Sequence, residues 1–116
     1  MYPTSDSTIN AATRALQGLW ARQQTISENI ANVDTPGYKA ARFDFEGYMQ
    51  RARARDAASV AGHVYRQQGS SVRTDGNNVD MDKEMVLLTQ NALRYNAVMS
   101  QLGRKIDYLH SVIRDS

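Results

Sequence analysis

Apolar side chains recur along the first third of the chain at alternating intervals of three and four: Ile9, Ala12, Leu16, Leu19, Gln23, Ile26, Ile30 and Val33, with Gln23 the one polar member. That heptad keeps a single stripe on one side of an α-helix and predicts a helix over residues 7–33. Ser5 or Ser7 is placed to cap its free N–H groups. Pro36 and Gly37 supply the stop: proline has no N–H and disfavours helical geometry at Thr35, and glycine accepts the positive φ of the turn that follows. The last third repeats the spacing through Met81, Met85, Leu88, Ala92, Tyr95, Met99, Leu102, Ile106, Leu109 and Ile113. Asp80 is the N-cap of this second helix, over residues 80–114. Asp82 and Glu84 in its first turn, and Arg104, Lys105 and Arg114 toward its end, match the helix dipole. At 1.5 Å per residue it would be about 50 Å long.

Two heptads of this kind predict a mainly all-α fold, one domain over residues 1–116, in which long N- and C-terminal helices pair in a coiled-coil-like seam. The seam residues are Ile9, Leu16, Leu19, Ile26 and Ile30 on one helix and Met85, Leu88, Tyr95, Met99, Leu102, Ile106 and Leu109 on the other. Val86, Leu87 and Leu93 lie off the seam, so the second helix is apolar on more than one side and a single partner helix cannot cover it. Either a helix from the middle of the chain covers that face or neighbouring molecules do, and these three residues are the expected assembly contacts. Gly18 and Gly103 interrupt the two helices at about 1 kcal/mol each relative to alanine. They are either tolerated or mark a close approach.

Between the helices, residues 34–78 hold five of the seven glycines and no sustained period. Phe43, Tyr48, Met49 and Ala52 allow a short helix over 44–55, and weak alternation suggests a strand or hairpin over 63–74. Asp75-Gly76 followed by Asn77-Asn78 is a turn signal. An insert of this length far exceeds what a helical hairpin needs, so it has its own task or orders on contact.

Composition narrows the chemistry. Fourteen basic against twelve acidic residues leave a net charge of +2, and there is no cysteine, which removes disulfides, thiolate metal sites and cysteine nucleophiles. Residues 1–13 carry no charged head followed by an apolar core, so a cleaved secretory signal is not expected, and no run is long enough to span a membrane. His63 and His110 have no ligand-like spacing, the serines sit in no nucleophile elbow, and no glycine-rich loop cradles phosphate. No catalytic residue, metal ligand or cofactor is expected, and no enzyme. Arg51, Arg53, Arg55, Arg66 and Arg73 give the middle a local positive excess, which keeps a basic nucleic-acid-binding module open as an alternative. A small secreted helical-hairpin protein is another, although such proteins place a Trp-Gly turn between their helices and Trp20 here lies inside the first heptad.

The run from Ser27 to Ala40, SENIANVDTPGYKA, resembles the N-terminal signature of bacterial flagellar axial proteins, carried by Asn29, Ile30, Ala31, Asn32, Thr35, Pro36, Gly37 and Tyr38. A plain helix stop accounts for Pro36 and Gly37 but not for the whole run. The tail adds Asp75 to Val79, Lys83-Glu84-Met85, Leu93-Arg94-Tyr95 and Arg104-Lys105, and resembles the FlgB family of proximal-rod proteins more than its FlgC-like sibling, the runner-up. The resemblance implies a structural subunit of the flagellar basal-body rod that is exported by the type III apparatus without a cleaved signal and assembles in the periplasm. Its implied partners are copies of itself, FlgC-like and distal-rod subunits, and a FliE-like adaptor at the inner-membrane ring. No nucleic acid and no membrane insertion are implied.

Overall fold

The computed structural model describes residues 3–53, 60–69 and 73–115. Helix α1 spans Pro3–Ala31, strand β1 Ala41–Phe43, helix α2 Phe45–Arg53, a 3₁₀ turn Ala61–His63, strand β2 Val64–Arg66 and helix α3 Met81–Asp115. The long helices pack against each other, as the paired heptads predict, and the molecule is elongated, 66 × 27 × 16 Å. Among the described residues no helix is long and apolar enough to cross a membrane.

Several boundaries differ from the sequence reading, for local reasons. Helix α1 begins at Pro3, so Ser5 and Ser7 lie inside it rather than capping it; proline suits a first turn, where its missing N–H has no partner to lose. The helix ends at Ala31 instead of residue 33, with Asn32 and Val33 in the turn that follows, where the Asn32 side chain donates to the Glu28 carbonyl at 2.8 Å. Asp80 caps α3 as expected, its carboxylate accepting from the Lys83 N–H at 3.3 Å.

The middle segment contains a strand that periodicity misses. Residues 41–43 are too few for alternation to register, yet they pair antiparallel with β2: Ala41 opposite Arg66, Arg42 opposite Tyr65, Phe43 opposite Val64. The expected strand over 63–74 is confined to Val64–Arg66, with Gly69 at φ +75° beyond it; residues 70–72 lie outside the described set. The short helix is present as α2, with Asp44 at its N-cap accepting from the Gly47 N–H at 3.1 Å. The rest of the expected 44–55 span is outside the described residues.

Helix α2 packs on α1, not over the off-seam face of α3. Ala21, Phe43 and Tyr48 form the small core between them, with Phe45 and Met49 against it, and His63 stands edge-on to the Tyr48 ring at 5.8 Å. Gly18 is where the two helices meet: a Cβ there would lie 2.8 Å from a Phe45 ring carbon and 3.1 Å from one of Tyr48. The close approach is thus made by aromatic rings. At Gly103, by contrast, a Cβ would meet nothing within 4 Å. Gly18→Val should therefore cost about 1–3 kcal/mol by overpacking, whereas Gly103→Ala should stabilise its helix by up to about 1 kcal/mol, both read by chemical denaturation.

Candidate functional site

The motif residues near the end of α1 build a buried polar junction. Asn29 is fully buried, and both polar atoms of its carboxamide are engaged twice. Its Nδ2 donates to the Ala41 carbonyl and to Glu84 Oε1, each at 2.9 Å; its Oδ1 accepts from the Ala41 N–H at 2.8 Å and the Tyr38 hydroxyl at 3.0 Å. By bonding both the N–H and the C=O of Ala41, the side chain acts toward β1 as a neighbouring strand would.

Glu84, placed from sequence in the first turn of the second helix for its charge, is buried beside it. Arg42 grips it through two bonds, Nη1 to Oε1 at 2.9 Å and Nη2 to Oε2 at 2.6 Å, and sends Nε to Gln67 Oε1 at 2.9 Å. A bidentate guanidinium is the partner a buried carboxylate needs, since it returns both charge and directed hydrogen bonds lost from water.

The turn before α3 closes the junction from the other side. Asn77 donates to the Asn32 and Thr35 carbonyls at 2.9 and 2.8 Å, adding a bond from a distant segment to carbonyls that also accept the Thr35 and Tyr38 N–H groups within the turn. Asn78 accepts from the Ala40 N–H at 2.6 Å and donates to the Gln67 carbonyl at 2.9 Å, and Arg73 reaches the Val33 and Val79 carbonyls. Gly37 and Gly76, at φ +76° and +85°, lie backbone against backbone: a Cβ on Gly76 would stand 3.4 Å from the Gly37 Cα, and the Gly37 N–H donates to the Asp75 carbonyl at 2.8 Å. The Thr35–Tyr38 and Asp75–Asn78 segments, remote in sequence, are two halves of one turn cluster. Arg66 donates to the Lys39 carbonyl at 3.1 Å and stacks over Tyr38, so it and Arg73 hold the middle segment together rather than forming an open basic patch.

The FlgB family is decided by relatives that match nearly end to end. The family model "Flagella basal body rod protein" matches residues 9–39, which contain the Asn29 to Tyr38 motif. The flagellar basal body rod protein FlgB of Bacillus subtilis is 31% identical over 91% of this chain and 92% of its own length. That of Escherichia coli is 31% identical over 98% of each, and that of Borrelia hermsii 34% identical over 78% of this chain and 84% of its own. The chain belongs to the FlgB family of flagellar basal body rod proteins. This is a structural family rather than an enzyme family. The Escherichia coli alignment runs over 135 positions against the 116 residues here, so that FlgB carries residues this one lacks.

Within this FlgB-family fold the structure sorts the expected seam residues. Leu19 and Ile26 are buried, while Ile9, Leu16, Ile30, Leu88, Tyr95, Leu102 and Leu109 are half-buried. Met85, Met99 and Ile106 stand toward solvent, because the least exposed line along α3 runs instead through Glu84, Leu88, Asn91, Tyr95, Val98, Leu102 and Leu109. Two polar residues one heptad apart set this rotation: Glu84 meets Asn29, and Asn91 donates to the Leu19 carbonyl at 2.9 Å and to Gln23 Oε1 at 3.1 Å. Gln23, the one polar member of the first heptad, thus has its partner. Of the off-seam residues, Val86 and Leu93 are 56% and 65% exposed and Leu87 is half-buried. Sequence reasoning missed Arg42, Glu84 and Asn91 as organising residues; the usable signal was the heptad spacing of Glu84 and Asn91 inside an otherwise apolar stripe.

Arg42→Met should strand the Glu84 carboxylate in the interior and destabilise the protein by about 3–5 kcal/mol in urea unfolding. The same change combined with Glu84→Met should cost less than Arg42→Met alone, because the uncompensated charge is gone.

Proposed function

We propose that this FlgB-family chain is a structural subunit of the proximal rod, polymerising with itself and other rod proteins to connect the inner-membrane ring to the distal rod and transmit torque. The observation that carries the reading is the unpaired side of α3. Val86, Leu93, Met99, Tyr108 and Val112 are exposed on a helix whose other side is occupied by α1, and large exposed apolar groups on an elongated molecule favour packing against neighbours. Copies of the chain, FlgC-like and distal-rod subunits and a FliE-like adaptor are the neighbours in this reading. The type III apparatus delivers the chain to the periplasm. The paired helices supply stiffness, and the ends of the helices order fully when neighbours cover them.

Electron microscopy of basal bodies from an in-frame deletion strain tests the role. Inner-membrane rings without rods, restored by complementation, are expected; complete rods would refute a non-redundant rod subunit. At residue level, Val86→Asp and Leu93→Asp should change monomer stability by no more than about 0.5 kcal/mol and still block rod assembly. Leu88→Asp and Leu102→Asp should instead lose helix content in the free chain, read by circular dichroism, because they bring a charge into the seam.

A further inference from the structure

A cavity of about 350 Å³ lies between α1, the β1–β2 pair and α3. Its polar walls include Arg22 from α1, Arg42 from β1, Tyr65 from β2, and Gln90, Asn91 and Arg94 from α3. Arg42 is neutralised by Glu84. Arg22 lies over the Phe45 ring at 5.1 Å, and among the described residues neither Arg22 nor Arg94 has a carboxylate partner. Burial first, then the charge of Arg94, hold the Arg22 guanidinium below its ordinary pKa, with Tyr65 opposing; an arginine stays charged even so. Asn91 adds a complementary need. It is buried, and its Oδ1 has no donor among the described residues, a state that costs free energy unless something supplies one. The cavity therefore holds two like charges awaiting an acceptor and one buried acceptor awaiting a donor.

The turn-cluster end of the same molecule, next along from the cavity, carries the matching groups. Glu28, Asp34, Asp80 and Asp82 are exposed where α1 ends and α3 begins, and none forms an ion pair among the described residues. Asp80 is engaged as the cap of α3, which leaves Asp82 as the outward carboxylate of the first turn. The N–H groups of Met81 and Asp82 have no acceptor within their own helix. We propose that this cavity is a docking site for a second copy of the chain, which seats the first turn of its α3 there with Asp82 between Arg22 and Arg94.

A chain cannot satisfy its own cavity this way. Asp82 and Arg94 are about 18 Å apart along one helix at 1.5 Å per residue. Cavity and first turn are different surfaces of one chain, so each copy offers both to its neighbours. The inference rests on the rod-subunit reading and specifies one contact within it.

Arg94 is exposed and makes no intrachain ion pair among the described residues, so Arg94→Glu should keep the fold by circular dichroism. In motility agar, Arg94→Glu and Asp82→Arg should each reduce the swimming halo to that of the deletion strain, and the double variant should recover at least half of the wild-type halo. A folded double variant no better than Arg94→Glu overturns the proposal. Because the chain has no cysteine, Asp82→Cys with Arg94→Cys gives a second readout on oxidised basal bodies. A disulfide-linked dimer or a longer ladder of this chain is expected, with neither single substitution producing one. Chain present in those basal bodies but uncrosslinked, or linked to a different rod protein, overturns the docking while leaving the rod role intact. A double-cysteine variant that never enters basal bodies leaves the charge swap to decide. Wild-type chain missing from isolated basal bodies overturns the rod reading and the docking together.

Discussion

The meeting of α1, β1 and α3 is set by the requirement that the Asn29 carboxamide, fully buried, find four hydrogen-bond partners. A buried amide with even one unmet bond is costly, and inside a protein the alternatives that water would offer are gone. Asn29 meets the requirement with three different segments: the Tyr38 hydroxyl, the Ala41 backbone and the Glu84 carboxylate. Fixing Ala41 positions β1, β1 positions β2 and the start of α2, and Glu84 positions α3. A change at this one side chain would therefore be felt in segments 55 residues apart.

The same polar constraint decides what the molecule leaves uncovered. An apolar stripe as wide as that of α3 can face α1 in more than one rotation with similar burial, since hydrophobic contact is not directional. Glu84 and Asn91 choose among those rotations because their hydrogen bonds are directional. Once they point inward, Val86 and Leu93 must point away, and Met85, Met99 and Ile106 move to the rim. The exposed apolar face of α3 in this FlgB-family fold is thus a consequence of two buried polar groups rather than of the apolar residues that compose it. Helix α2 of the middle segment does not alter this, because Phe45 and Tyr48 dock it at Gly18 on the other long helix.

The turn cluster shows why two sequence runs that look independent belong together. Thr35 to Tyr38 reads as a helix stop and Asp75 to Asn78 as a turn before a helix, and each is that. Yet Asn77 bonds carbonyls of the first run, the backbone of Gly37 lies against that of Gly76, and Arg73 reaches back to Val33. Local turn chemistry explains the glycines and the proline. It does not explain the asparagines, which serve backbone groups on a different segment. This is the physical content of a motif that otherwise looks too specific for a helix terminus.

Periodicity and turn chemistry, which act over a few neighbouring residues, are enough to determine two long helices, their stop and start at Pro36 and Asp80, the paired architecture and the place of Val86 and Leu93 off the seam. The Asn29 to Tyr38 run was legible as a family signature for the same reason: it is contiguous. Tertiary structure alone decided the strand at Ala41–Phe43, the inward placement of Glu84 and Asn91, the rotation of α3 and the cavity walled by Arg22 and Arg94. Each of these depends on a hydrogen bond, or on an ion pair present or missing, between residues far apart in the chain. A polar residue inside an apolar repeat carries no local mark saying whether it faces water or a distant carboxamide; only the folded chain brings its partner within 3 Å.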